Sequence, residues 1–297
     1  MSWENSIKEF KYYLRVERSL TNNTVDAYIR DVNKLSKYSI NNNLSIKLII
    51  RENIQDFISF LNDEKISART QARVISSIKS FFKFLIMEDY IINDPCQLIQ
   101  NPKIGLKLPD VLSIAEIDLI VSNIDNSSKH GQRNTTIIET LYSCGLRVSE
   151  LINLKISNIK FLEKYIKITG KGNKERLTPI SQKCLKLLSI YINEIRIHQI
   201  IKSGNDDIVF LNNRGSQLSR EMIFTIVKKL TEKSGIKKNV SPHTFRHSFA
   251  THLIEGGADL RAVQEMLGHE NITTTEIYTH LDNDYLRSNL MQFHPRS

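Results

Sequence analysis

Apolar residues recur every three or four positions through the first part of the chain, in four runs separated by short polar joints. The first run carries Ile7, Phe10 and Leu14, and the second, after Thr21-Asn22-Asn23, carries Val25, Tyr28, Val32 and Leu35. A third holds Ile54, Phe57, Ile58 and Leu61. A fourth, from about Ala68 to Asp89, holds Val74, Ile75, Ile78, Phe81, Phe82 and Leu85. This is the period of helices with one buried face, so the spacing predicts a four-helix bundle over residues 1–92. From Asn93 the period lapses. The stretch to Pro109 holds three of the chain's six prolines, and residues 93–106 read as a linker. Ser113-Ile114-Ala115-Glu116 then has the spacing of a capping box, which places a second domain at 107–297.

In that domain a helix ends near Ser143-Cys144-Gly145, and the glycine predicts a sharp turn with Arg147 at the head of the next helix. Glu150, three residues on, is spaced to brace Arg147, although such a pair is also an ordinary surface ion pair. The period then changes to two. Tyr165–Thr169 and Glu175–Ile180 flank Gly170-Lys171-Gly172-Asn173-Lys174, a hairpin with Lys171 on its tip. Helices are expected at 182–202 and 217–234, with Asp207–Leu211 between them as a short strand or a buried extended segment. Ser241-Pro242 reads as N-cap and first helical position, with the helix running to Glu255 and stopped by Gly256-Gly257. His243 and Arg246 then share one face. A further helix from about Asp259 to Leu267 ends at Gly268 and delivers His269, and a short helical segment through Thr273-Thr274-Thr275 carries Tyr278. The fold class expected is mainly α with a small antiparallel β-sheet in the second domain.

Charge adds to this picture. Lys and Arg number 41 against 32 Asp and Glu, and the net charge of +9 is the footprint of a nucleic-acid binder. Arg69, Arg73, Lys79 and Lys83 line the polar side of the fourth run among Ser67, Ser76 and Ser77, and Lys174 and Arg176 flank the hairpin tip. All six cations are candidate DNA contacts, against the alternative of solvated faces. The three cysteines, Cys96, Cys144 and Cys184, form no CxxC pair, which points to a reducing compartment and away from structural zinc. No apolar run approaches ~18 residues and the N-terminus has no apolar targeting core, so a cytoplasmic protein without a membrane segment is expected.

The chemistry concentrates in Ser241–His280. Two imidazoles, a guanidinium and a phenol beside the positive end of a helix make a plausible site for a phosphodiester. His243 and His247 have a metal-ligand spacing, but the HExxH motif needs Glu where Thr244 stands, and His247 and His252 read as packing residues. Gly170-Lys171-Gly172 lacks the pattern of a P-loop. No metal and no cofactor are expected.

Arg147 in GLRVSEL, Lys171 in TGKGNKERLTPI, His243 and Arg246 in SPHTFRHSFATHL, His269 in LGHENITTTEIYTH and Tyr278 in IYTH together resemble the tyrosine recombinases, in order as well as type. The resemblance runs over essentially the whole chain and is strongest to the Xer type, with GADLRAVQEMLGH and the terminal FHPRS leaning to its XerD branch. It implies a two-domain DNA clamp, the helical bundle opposite a catalytic domain. It implies that Tyr278 attacks the scissile phosphate to form a covalent 3′-phosphotyrosine, that Arg147 and Arg246 hold the non-bridging oxygens with His243 and His269, and that Lys171 protonates the leaving 5′ oxygen. Glu150 takes the buttressing position. Cleavage and rejoining would need neither metal nor ATP.

The implied partners are a double-stranded, dif-like recombination site, three further protomers (copies of this chain or a second Xer-type protein) and a septal DNA translocase, in the resolution of chromosome dimers. Rival readings are a type IB topoisomerase-like nicking-closing enzyme, a mobile-element integrase or excisionase, and a non-catalytic DNA-binding module. The amphipathic segment Leu281–Leu290 is expected to dock into a neighbouring protomer.

Overall fold

Ser2 and Ser67 each accept a hydrogen bond from the N–H three residues on, and so start two of the four helices of the first unit. In the computed structural model the chain divides into two units, Met1–Lys107 and Leu108–Ser297, and the residues described are 2–102, 105, 110–170, 175–268 and 283–296. The first unit holds α1 (Trp3–Val16), α2 (Asn22–Asn41), α3 (Arg51–Asp63) and α4 (Ala68–Met87). The apolar stripes meet as its core. Phe10, Val25, Val32, Phe57, Val74, Phe81, Phe82 and Leu85 are fully buried, and Phe10 meets Phe81 edge-on at 5.2 Å. Each buried phenylalanine contributes about 1.5–3 kcal/mol, which is why the stripe and not helix propensity decides these elements.

The second unit opens with α5 (Ile114–Ser122), whose capping box forms in both directions between Ser113 and Glu116. α6 (Gly131–Ser143) is buried along nearly its whole length and is the helix around which this unit packs. After it come α7 (Val148–Ile152) and a three-stranded antiparallel sheet of β1 (Ile159–Lys160), β2 (Tyr165–Thr169) and β3 (Glu175–Pro179), in that order. The expected hairpin thus has a third strand. Ile168 pairs with Arg176 across it, which turns both toward the inner face.

The helix expected at 182–202 is shorter. α8 (Gln182–Ile190) gives way to a wider turn at Tyr191–Ile195 and a tighter one at Arg196–His198. There the buried Arg196 donates to the carbonyls of Asn205, Asp206 and Ile208, and these bonds hold the chain in a loop instead of further helix. Of the two readings of 207–211, the buried extended segment is observed: Val209, Phe210 and Leu211 are fully buried without forming a named strand. α9 (Arg220–Lys233) starts three residues later than expected because Ser219 is its cap.

α10 (Pro242–Gly256), α11 (Leu260–Leu267) and α12 (Asn283–Phe293) complete this unit. α12 corrects one expectation. It packs on its own unit, with Leu286 and Leu290 inside the core and Asn289 accepting the N–H of Asp259 at 3.0 Å. The residues after it are also held. Arg296 pairs with Asp118 at 2.6 Å and Glu139 at 3.2 Å and lies over the Tyr142 ring, whose hydroxyl meets His252 Nδ1 at 2.7 Å. No helix of the described residues is long and apolar enough to cross a membrane.

Candidate active site

Gly145 creates the site's first turn. It sits at φ +57°, a left-handed conformation, and a Cβ there would lie 2.6 Å from the Phe249 ring. The turn leaves Arg147 at the cap position of α7, where Glu150 reaches back to accept its backbone N–H at 2.8 Å. The same carboxylate accepts Arg147 Nη1 at 2.8 Å, while Arg147 Nη2 donates to the Gly268 carbonyl at 3.0 Å.

Two more guanidinium groups converge there. Arg176, from β3, places Nη1 and Nη2 on the two Glu150 oxygens at 2.8 and 2.9 Å, and Nε on the Met266 carbonyl at 2.9 Å. Arg246, one turn after His243 in α10, donates to the carbonyls of Gly145 and Leu267 and stands 3.9 Å from Glu150. The cluster thus ties the turn before α7, the inner face of β3 and the end of α11 to one buried carboxylate. Gly268 closes α11 at φ +65°, and a Cβ there would lie 3.1 Å from the Arg176 side chain.

Exposure sorts these groups. The Glu150 side chain is 2% exposed and that of Arg246 10%, whereas Arg147 is 32% exposed and faces outward. Burial alone would raise the Glu150 carboxyl, but hydrogen bonds and charge from Arg176, then hydrogen bonds from Arg147, hold it below the usual range. Burial, followed by repulsion from Arg147, lowers Arg246 to about 10, so it remains a cation at neutral pH. His243 lies exposed in the first turn of α10, at the positive end of that helix. A half-open group of arginines with excess positive charge can bind an anion, and guanidinium geometry suits phosphoryl oxygens. Beside Glu150 an open cleft of about 400 Å³ is lined by Asn153, Lys155, Ser157, Asn158, Lys167 and Thr169. None of these six was singled out in the sequence, where they carry no motif.

Of the expected catalytic set, Arg147, Glu150 and Arg246 come together and His243 lies one turn from Arg246. Lys171, His269 and Tyr278 lie outside the described residues, as does Lys174 among the expected DNA contacts. Arg176 is a correction: all three of its side-chain nitrogens donate inside the protein, two of them to Glu150, where a DNA contact was expected. The pairing of Arg176 with the buried Ile168 is the signal that finds it, because residues opposite each other in a hairpin share a face.

The cations of α4 divide too. Arg69, Arg73 and Lys83 are exposed. Arg73 is paired at 2.8 Å with Asp31, which is buried and also accepts the Ser77 hydroxyl at 2.9 Å. Lys79 is held by the Ile99 carbonyl at 2.5 Å. Lys79 therefore braces the bundle, Arg73 pairs with Asp31 while remaining 46% exposed, and burial removes Ser77 from the expected hydroxyl donors. Among the described residues no three His, Cys, Asp or Glu side chains are grouped to share a metal ion.

Residues 110–284 match the phage integrase family, and residues 7–89 match the phage integrase N-terminal SAM-like domain. The chain is 43% identical to the tyrosine recombinase XerD of Staphylococcus aureus over 99% of its own length and 100% of that protein's. It is 42% identical, with the same coverage, to XerD of Staphylococcus haemolyticus. Among solved structures it is similar to the XerA recombinase, at 30% identity with both chains fully covered and a TM-score of 0.51. It is also similar to the XerH site-specific recombinase bound to a palindromic difH substrate after cleavage, at 26% identity over 89% of this chain and 77% of that one, with a TM-score of 0.73.

Proposed function

The chain belongs to the phage integrase family as an Xer-type, site-specific tyrosine recombinase, and we propose that Arg147, Arg246, His243, Lys171, His269 and Tyr278 carry its reaction. The observation that carries this reading is the convergence of Arg147 and Arg246 around Glu150, with Arg147 facing outward. Two fixed guanidinium groups there would hold the non-bridging oxygens of a scissile phosphate and stabilise the charge that builds during attack. Tyr278 is the nucleophile. A phenol with pKa near ~10 needs a proton acceptor, and in this reading His243, at the head of α10, takes that role. Lys171 protonates the 5′ oxygen as it leaves, and His269 completes the phosphate pocket. Breaking the P–O5′ bond while forming the P–O(Tyr278) bond keeps the bond energy in a 3′-phosphotyrosine. A 5′ hydroxyl from another strand reverses the step without ATP, and the arginines with Lys171 supply the charge that a metal would otherwise bring.

The substrate in this reading is a double-stranded, dif-like site, and the physiological outcome is the resolution of chromosome dimers in the cytoplasm. The similarity to XerD proteins and to XerH on difH supports it. Four protomers, copies of this chain or of this chain and a second Xer-type protein, assemble on two sites under the control of a septal DNA translocase. Incubation with a nicked duplex carrying the cognate site should give a covalent adduct that Tyr278→Phe abolishes; an adduct that persists in the variant removes Tyr278 from the role. Strand exchange between two duplexes, as opposed to relaxation of one, separates this activity from nicking and closing.

A further inference from the structure

We propose that Arg176 is a positioning residue for strand cleavage, holding the charge of Glu150 so that the carboxylate draws less on Arg147 and Arg246. The inference rests on the reading of those two arginines as phosphate ligands. Its first support is geometric. Arg176 places two guanidinium nitrogens on Glu150, at 2.8 and 2.9 Å, where Arg147 places one beside its backbone N–H, and its third nitrogen is fixed on Met266. All three nitrogens of its guanidinium donate to acceptors inside the protein.

The second support is charge. Glu150 is 2% exposed, and a buried carboxylate that loses a partner draws strongly on whatever cations remain. Three guanidinium groups against one carboxylate leave two positive charges in the cluster. That surplus matches the two negative charges that a phosphodiester and an attacking phenolate bring together. Without Arg176 one positive charge would remain. Glu150 would then compete with phosphate for the N–H groups of Arg147 and for Arg246, which already stands 3.9 Å away.

The third support is mechanical. β3 begins four residues after Lys171 in the sequence, while Met266 and Gly268 end the helix that precedes His269. Arg176 bonds across from one to the other through the Met266 carbonyl, and its side chain fills the space that a Cβ on Gly268 would need. One side chain therefore sets the register between β3 and the end of α11 and satisfies the carboxylate beneath Arg147.

The test measures single-turnover adduct formation on a nicked duplex at saturating protein, with duplex affinity and melting temperature measured in parallel. Arg176→Met should slow adduct formation roughly 100-fold, the scale of an ångström-sized misplacement, with affinity unchanged. Arg176→Lys should recover part of the rate. The double variant R176M/E150Q should react faster than Arg176→Met alone, because the uncompensated charge is gone; a side chain that only supports the fold would give no such recovery. A normal rate in Arg176→Met overturns the proposal. So does a double variant slower than Arg176→Met by the factor that Glu150→Gln costs in the parent chain. If Arg176→Met does not fold, the comparison of Arg176→Lys with R176K/E150Q is read in the same way. A parent chain that forms no adduct overturns the functional reading and this one with it, whereas a reactive parent with an indifferent Arg176→Met overturns this one alone.

Discussion

The guanidinium of Arg246 donates to the carbonyl of Gly145 at 2.6 Å, joining two segments that lie 101 residues apart in the sequence. The bond makes the arginine of α10 dependent on a turn that only glycine fits. Gly145→Ala would put a methyl group 2.6 Å from the Phe249 ring at a φ of +57°. Overpacking and left-handed strain together should lower stability by about 2–4 kcal/mol. Thermal melting checks this, and adduct formation should fall further than melting alone accounts for, because Arg246 loses its anchor. An unaltered melting temperature would mean that the turn relaxes freely.

Stability should also fall in mild acid through the tail. His294 is 2% exposed, and burial, then the nearby charges of His252 and Arg296, lower it to about 3. Unfolded, it titrates near ~6.5. Its folded value is the depressed one, so the unfolded chain takes the proton first. The contribution of neutral His294 is fully present above pH ~6.5 and is lost as pH falls toward 3, at up to roughly 1.4 kcal/mol per unit. His252, also lowered by burial, acts in the same direction. Melting curves between pH ~6.5 and ~5, above most carboxylate titrations, should show a shallower dependence for His294→Gln than for the parent.

DNA binding should separate Lys79 from Arg69 and Lys83 on α4. If Arg69 and Lys83 meet backbone phosphates, replacing each by Ala should weaken binding across sequences and reduce the salt slope by about one. Lys79→Ala should leave the slope unchanged and lower the melting temperature, because its ammonium is held by Ile99. Arg73→Ala should also lower the melting temperature, since it strips the buried Asp31 of its cation. Salt titrations of duplex affinity decide this; a slope reduced by Lys79→Ala as much as by Arg69→Ala or Lys83→Ala would contradict the division.

The helices were legible because burial imposes a period, and the stripes of α1–α4 are the residues found in the first core. The turn at Gly145 and the caps at Ser113 and Ser219 depend on neighbours in sequence, and two of the three were read from them. What the sequence concealed lies in long-range pairing. Nothing near Arg176 announces Glu150, 26 positions away, and nothing near Lys79 announces the Ile99 carbonyl. A cation on an amphipathic pattern looks the same whether it meets DNA or an internal acceptor. The same ambiguity governed α12, whose apolar residues fit a neighbour's groove as well as their own core, and the structure gives the latter.

The near-contact between Gly268 and Arg176 has a consequence for how such a sequence can change over time. A side chain at 268 meets both left-handed strain and the Arg176 side chain, and a smaller residue at 176 leaves Glu150 to Arg147 and Arg246. Neither position can drift by itself without loss. Sites 268, 176 and 150 should therefore substitute together or not at all, so that related chains fall into separate compatible sets with few viable intermediates between them.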